Sequence, residues 1–178
     1  MAVAAQNMPV RVRLDLAQEV ESQSIASTLD TTQWTLHGRR NRVFVLVAGT
    51  GSIRHRDDDT GLQAPSLVWV PTGQPAVLTL HAGSRGAWLA ISDAALSQVA
   101  LPGNIGDNLR RISTRPQLGT RIERNVANRL ATLIGVIEDE LREGPAGSQE
   151  MVRHQLAIVS ILLWRSSDLA PNDPQPAP

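Results

Sequence analysis

Few side chains in this 178-residue sequence could carry out acid–base, nucleophilic or metal chemistry. Cysteine is absent, which excludes disulfides, thiolate nucleophiles and thiolate metal sites. His55 and His81 stand alone in extended segments, and we interpret them as surface or rim residues. The Gly49–Gly51 turn has no helix behind it and no Ser-His-Asp elbow is present, so neither a dinucleotide fingerprint nor a hydrolase motif is found. We therefore assign no catalytic residues and expect a protein that is not an enzyme.

Small-molecule binding has better candidates, because aromatic, apolar and cationic side chains alternate with a period of two ahead of the Gly49–Gly51 turn. The residues on this predicted face are Trp34, Leu36, Arg40, Arg42, Phe44 and Leu46. A buried arginine needs a partner charge or a ligand carboxylate, since an unpaired buried charge is very costly. Our hypothesis is that Arg40 or Arg42 anchors an anionic effector. The alternative, that both point outward near the strand entrance, stays open.

The first half of the chain repeats short apolar runs separated by glycine and proline turns, which predicts an antiparallel β structure. Arg39–Ile53 is predicted to form a hairpin around Gly49–Gly51. Leu67–Val70 and Ala76–His81 form a second such unit, and Ala87–Ile91 is the last clear strand. The strands predict two layers or a closed barrel.

The second half has the 3.6-residue period of amphipathic helices. The first helix begins after Thr120 and is stopped by Gly144 and Pro145, and the second opens at Ser148. One stripe of the second helix consists of Val152, Leu156, Val159 and Leu163, and a further apolar flank consists of Ile158, Ile161, Leu162 and Trp164. Two apolar flanks need two partner surfaces, so we predict that the Val152, Leu156, Val159 and Leu163 stripe forms a homodimer interface.

Length and the change of period predict one domain in two parts. These are a β subdomain over residues 1–100, with Met1–Val20 as a candidate arm, and a helical subdomain over residues 101–168. Residues 169–178 are rich in proline and are interpreted as a linker or tail. With 17 basic and 17 acidic residues, the net charge favours neither nucleic acid nor an anionic membrane. No secretory signal or membrane-length apolar run is recognised, so we expect a cytoplasmic protein without a membrane partner.

Four motifs resemble the N-terminal sensor and dimerisation domain of AraC-type transcription regulators. They are Val43–Gly51 (VFVLVAGTG), Leu67–Gly73 (LVWVPTG), Trp88–Asp93 (WLAISD) and Gln155–Arg165 (QLAIVSILLWR), and the likeness spans about Val10–Ser167. The resemblance implies an α+β fold: a cupin-like antiparallel β-barrel (jelly roll) followed by two antiparallel amphipathic helices. It also implies a homodimer whose barrel binds a small-molecule effector or a regulatory protein. DNA would be bound only through a double helix-turn-helix domain, which we expect to be missing here because nothing follows the proline-rich tail.

The resemblance also implies a site. The face that carries Trp34, Arg40, Arg42 and Phe44 would line the barrel, Trp88 would stack on a ligand, and Leu78 and Leu80 would face the same cavity. The alternative is that Trp88 and the leucines are plain core.

Metal-binding cupins place histidines and a glutamate before the Gly-x-Gly turn and another histidine after a Pro-x-Gly turn. Here only His37 is present, no Glu precedes Gly49, and Ala76 replaces the later histidine. We therefore expect no metal and no cofactor.

Two alternatives to a sensor remain. One is a metal-free cupin enzyme acting on a small polar substrate, and the other is a dimerisation module with a filled barrel and no ligand. The basic series from Arg110 to Arg129 lacks interleaved aromatic residues, so we interpret it as a solvated face.

Overall fold

The computed structural model describes residues 15–26, 29–99, 101, 103, 106–107, 110 and 114–167. Most of the predicted arm and the tail at 169–178 lie outside the described residues. The elements in chain order are α1 (Leu16–Glu19), β1 (Val20–Ile25), β2 (Thr32–Leu36), β3 (Arg40–Ala48), β4 (Thr50–His55), β5 (Asp58–Gln63), β6 (Ser66–Val70), β7 (Ala76–Leu80), β8 (Arg85–Ser92), α2 (Asp93–Ser97), β9 (Gln117–Arg121), α3 (Arg124–Glu143) and α4 (Ser148–Arg165).

The strands form two antiparallel sheets that face each other as a jelly-roll-like sandwich. The five-stranded sheet has the order β1-β8-β3-β6-β9, and the four-stranded sheet has the order β2-β7-β4-β5. The predicted α+β class is confirmed, with two main helices after the strands. The sheets are separate layers and do not close into a continuous barrel.

Strands that follow each other in the chain mostly belong to different sheets. The turn at Gly49 carries the chain from β3 in the larger sheet to β4 in the smaller one, so the hairpin predicted for Arg39–Ile53 is wrong. The turn at Pro71–Gly73 likewise joins β6 to β7 across the sandwich. The actual neighbours of β3 are β6 and β8. β4 and β5 do form a hairpin, with its tip at Arg56 and Asp57.

The two faces of the five-stranded sheet border two different cores, because side chains alternate along a strand. Phe44 and Leu46 of β3 point into the core between the sheets, whereas Val43 and Val45 point into the core shared with the helices. In the second core, α3 contributes Leu130, Ile134 and Ile137, all buried.

The strands and the helices pack against each other across the predicted boundary near residue 100. The helices share their core with the five-stranded sheet, and β9, which lies within the predicted helical part, pairs with β6 in that sheet. The chain between 15 and 167, as far as it is described, is therefore one packed unit.

The four residues predicted to form a dimer interface lie inside the single chain. Val152, Leu156, Val159 and Leu163 are between 0% and 4% exposed and belong to the core beneath the helices. The prediction that they contact a second copy is therefore wrong, because the stripe is already covered by this chain's own elements. The outward side of α4 instead carries Met151, 45% exposed, and Ile158, 36% exposed.

Local signals fix the ends of several elements. The Ser92 hydroxyl accepts a hydrogen bond from the Ala95 amide (3.0 Å) and caps α2. Gly144 adopts a left-handed conformation (φ 58°) and ends α3, as predicted. No described helix combines the length and apolar character needed to cross a membrane.

Buried Asn41 joins three segments at the start of β3. Its amide nitrogen donates to the Asp93 carboxylate (2.7 Å) and to the Ile91 carbonyl (3.3 Å), and its carbonyl oxygen accepts from the Thr72 amide (3.1 Å). These bonds satisfy a side chain that is 0% exposed. They hold β3, the end of β8 and the Pro71–Gly73 turn in a fixed arrangement.

Candidate functional site

A cavity of about 190 Å³ lies between the two sheets, where their edge strands β1 and β2 stand on the same side of the sandwich. Its lining residues come from five strands and are Glu21, Ile25, Trp34, Thr35, Leu36, Arg42, Val43, Phe44, Leu78 and Trp88. The wall is mostly apolar, with charged groups only at Glu21 and Arg42. This is the composition expected of a small-ligand site, in which a few polar groups orient an otherwise apolar molecule.

The structure brings together five of the six predicted ligand-binding residues: Trp34, Arg42, Phe44, Leu78 and Trp88 all line the cavity. They reach it from opposite sheets, since Trp34 lies on β2 and Leu78 on β7, whereas the others lie on β3 and β8. The prediction that Trp34 and Phe44 share one face of one sheet is therefore wrong, although both side chains reach the same interior. That these residues bind a ligand stays a prediction.

The aromatic residues of the cavity are held by neighbouring strands. Phe44 and Trp88 are direct cross-strand partners in the β3–β8 ladder. The Trp88 indole nitrogen donates to the Gln23 side-chain oxygen (3.0 Å) on β1, so the polar edge of the ring is satisfied. Trp34 pairs with Leu78 in the opposite sheet. The rings thus present apolar surface to the cavity while the polar edge of Trp88 is bonded elsewhere.

Arg42 lies in the wall and is half-buried. Its guanidinium donates to the backbone carbonyls of His37 and Arg40. Burial lowers the pKa of Arg42, the Glu21 carboxylate raises it, and the Arg40 guanidinium lowers it again. Within the part of the chain that the structure describes, no carboxylate forms an ion pair with Arg42. The site therefore holds a fixed, partly desolvated cation whose charge is only partly compensated.

Arg40, the sixth predicted residue, does not line the cavity. Its guanidinium forms an ion pair with Glu21 and donates to the Gln18 carbonyl (2.5 Å). The two arginines therefore differ: Arg40 pairs with the acidic residue of the wall, and Arg42 forms no ion pair within the described ranges. The alternative that both arginines point away from the site is wrong for Arg42.

Sequence reasoning missed the contribution of β1. Glu21, Gln23 and Ile25 occupy alternate positions of this strand, and all three lie on the cavity side, either in the wall or bonded to Trp88. The alternate spacing of these three residues was visible in the sequence, but polar residues occupy both faces of this edge strand. A strand with polar residues on both faces gives no clear apolar alternation.

The histidines lie away from the cavity. His55 was predicted to be a surface or rim residue, but it is only 6% exposed, with its ring nitrogen 2.9 Å from the Gln74 side-chain oxygen. His81 is exposed, and its ring nitrogen is 2.9 Å from the Thr50 hydroxyl. Across residues 15–167, where described, no group of three or more His, Asp or Glu could hold a metal ion.

No protein-family model matches the sequence, and no curated protein matches it. Among solved structures, the chain is similar to the AraC-like transcriptional activator CuxR (12% identity, TM-score 0.48, covering 83% of this chain and 50% of that one). It is also similar to ToxT from Vibrio cholerae O395, with 14% identity and a TM-score of 0.43, covering 89% of this chain and 60% of that one. A cupin superfamily protein from Desulfitobacterium hafniense is similar over 51% of this chain and 100% of its own length, with 16% identity and a TM-score of 0.36. The chain thus spans about half of CuxR and three-fifths of ToxT.

Proposed function

We propose that this chain is the regulatory domain of an AraC-type transcription regulator and binds a small-molecule effector between its two sheets. The observation that supports this is the cavity of about 190 Å³ with Arg42 in its wall. The motifs of the resemblance lie on the strands and helix that build the structure, with Val43–Gly51 in β3 and β4, and Trp88–Asp93 in β8 and α2. DNA binding belongs to another domain, and this domain supplies the response to the effector.

Strand β1 offers a physical route from the cavity to the helices. Glu21 and Ile25 line the cavity, while the Ser24 amide between them donates to the Glu138 carboxylate on α3 (2.8 Å). A ligand that prefers one position of β1 therefore also favours one arrangement of β1 relative to α3. Occupancy is transmitted in this way only if the effector binds the two arrangements with different affinity.

A filled interior would support the alternative of a dimerisation module without a ligand, and the open volume beside Trp34 and Trp88 argues against it. Among the described residues of its wall, the cavity has no histidine, the side chain that most often serves as a general base.

A panel of sugars, amino acids and short carboxylic acids tests the cavity. At least one class is expected to raise the melting temperature, because a ligand present at a hundred times its Kd adds about 2.7 kcal/mol to the free energy of unfolding. Leu36→Trp, at a half-buried position of the wall, should remove the response by filling the cavity. Leu118→Trp, half-buried in the same core outside the cavity wall, is the matched control. A response that survives Leu36→Trp, or a panel without any response, would contradict this site.

We also propose that a second copy binds the outward side of α4. Met151 and Ile158 are two of the three exposed large hydrophobic residues in the described ranges, and they lie two turns apart on one side of the helix. Ile158→Asp is expected to convert a dimer to a monomer without loss of helix content, as measured by sedimentation velocity and circular dichroism. Thr132→Asp, exposed on α3, should leave the mass unchanged. An identical dimer with Ile158→Asp would place the interface elsewhere.

A further inference from the structure

The cavity collects most of the aromatic side chains of a chain that has few of them. With four Trp, one Phe and no Tyr, the chain has five aromatic residues, and three of them, Trp34, Phe44 and Trp88, line this one cavity. Building on the proposed function, we infer that the effector is a single-ring aromatic carboxylic acid, with its ring against Trp34 and Trp88 and its carboxylate on the Arg42 guanidinium.

The preference for an aromatic ligand follows from the residues that line the cavity. Trp34 and Trp88 approach from opposite sheets, so a planar ligand meets an indole from each side of the sandwich. The polar edge of Trp88 is bonded to Gln23, which fixes the orientation of that indole and leaves its carbon surface for contact. Aromatic pairs gain attraction beyond that of their buried area, so an aromatic ring is preferred over an aliphatic chain of equal size.

The carboxylate of the proposed ligand follows from the charged side chains at the cavity. The group formed by Arg40, Arg42 and Glu21 has two cations and one anion, and the anion is paired with Arg40. Arg42 is therefore the cation with which a negatively charged ligand can form an ion pair. A guanidinium forms strong, charge-assisted hydrogen bonds to a carboxylate. Since Arg42 is already positioned by the His37 and Arg40 carbonyls, little side-chain freedom is lost on binding.

The size and polarity of the cavity exclude other classes of ligand. At about 190 Å³, the cavity is smaller than the roughly 300–1,000 Å³ of sites for drug-sized ligands, which favours one ring over a nucleotide or a long acyl chain. A sugar would bury many hydroxyl groups, each needing a partner. Besides Arg42 and Glu21, the only polar side chain among the described residues of the wall is that of Thr35, and it is exposed.

The test uses benzoate as the probe, with benzamide and cyclohexanecarboxylate as matched compounds, in thermal-shift and calorimetric titrations of the full chain at fixed ionic strength. Benzoate is expected to bind roughly tenfold or more tightly than benzamide, which lacks the charge. It should bind roughly threefold or more tightly than cyclohexanecarboxylate, which keeps the charge but not the aromatic ring. Arg42→Gln should remove the preference for benzoate over benzamide.

Arg39→Gln is the control, since Arg39 is exposed and lies three residues before Arg42, and it should leave the affinity for benzoate within about twofold at physiological salt. Trp88→Leu should remove the preference for benzoate over cyclohexanecarboxylate.

Two results would overturn the aromatic-acid assignment and leave the sensor function standing. One is equal binding of benzoate and benzamide. The other is a sugar as the preferred compound, with Leu36→Trp still abolishing the response. Absence of binding by every compound of both panels would contradict both proposals.

Discussion

Gly86→Ala is expected to abolish folding of this domain. A Cβ atom on Gly86 would lie 2.1 Å from the Val45 carbonyl oxygen and 3.1 Å from its carbon. Both are backbone atoms of β3, so no side chain can rotate away. Relief requires β8 to separate from β3, and these two strands are the centre of the five-stranded sheet. We expect the free energy of unfolding to fall by more than about 4 kcal/mol, into the range that only severe core disruption reaches.

Gly61→Ala is the matched control, because Gly61 also lies in a strand but a Cβ there meets no atom within 4 Å. Urea unfolding followed by circular dichroism should give a stability for this variant within about 0.5 kcal/mol of the unchanged protein. Soluble, fully folded Gly86→Ala protein of normal stability would show that β3 and β8 do not approach as closely as described here.

Leu156→Asp is expected to leave no folded protein. Leu156 is 1% exposed in the core between the five-stranded sheet and the helices. A carboxylate at this position would be buried without a partner charge, and its desolvation together with the lost apolar packing costs an amount comparable to the total stability of a typical domain, about 5–15 kcal/mol. The sequence alone predicted a different result for this change, a folded monomer, because it assigned Leu156 to the surface of a dimer. Solubility and circular dichroism of the purified variant separate the two results.

Two companion variants isolate the cause. Leu156→Ala removes the same contacts without adding charge and should cost about 2–5 kcal/mol, leaving marginally folded protein. Ile158→Asp places the same carboxylate on the outward side of the helix, where Ile158 is 36% exposed, and should remain folded. A folded, monomeric Leu156→Asp protein would restore the interface that the sequence suggested.

What the sequence could predict is what short-range patterns determine. The alternation along β3 placed Arg42 and Phe44 on one face, and the end of α3 followed from Gly144. These signals depend on neighbours within a few residues. Arg42 and Phe44 were found in the cavity for the same reason, whereas Trp88 was expected there only from the resemblance.

What the sequence could not predict depends on pairing across the sandwich. A turn at Gly49 has the same local pattern whether it closes a hairpin or carries the chain to the other sheet, so the wrong partner was assigned to β3. The apolar flanks of α4 are of similar character, and only the position of α3 decides which one is buried. The different roles of Arg40 and Arg42 depend on Glu21, which is distant in sequence.

The burial of β3 on both faces has a consequence for how the sequence can vary. Adding or deleting one residue ahead of Arg42 in β3 would turn Arg42 and Phe44 away from the cavity and toward the helices, because every side chain beyond the change reverses its direction. Proteins that share this architecture should therefore keep the length of this strand unchanged. The tip at Arg56 and Asp57, which is exposed, is where they are free to gain or lose residues.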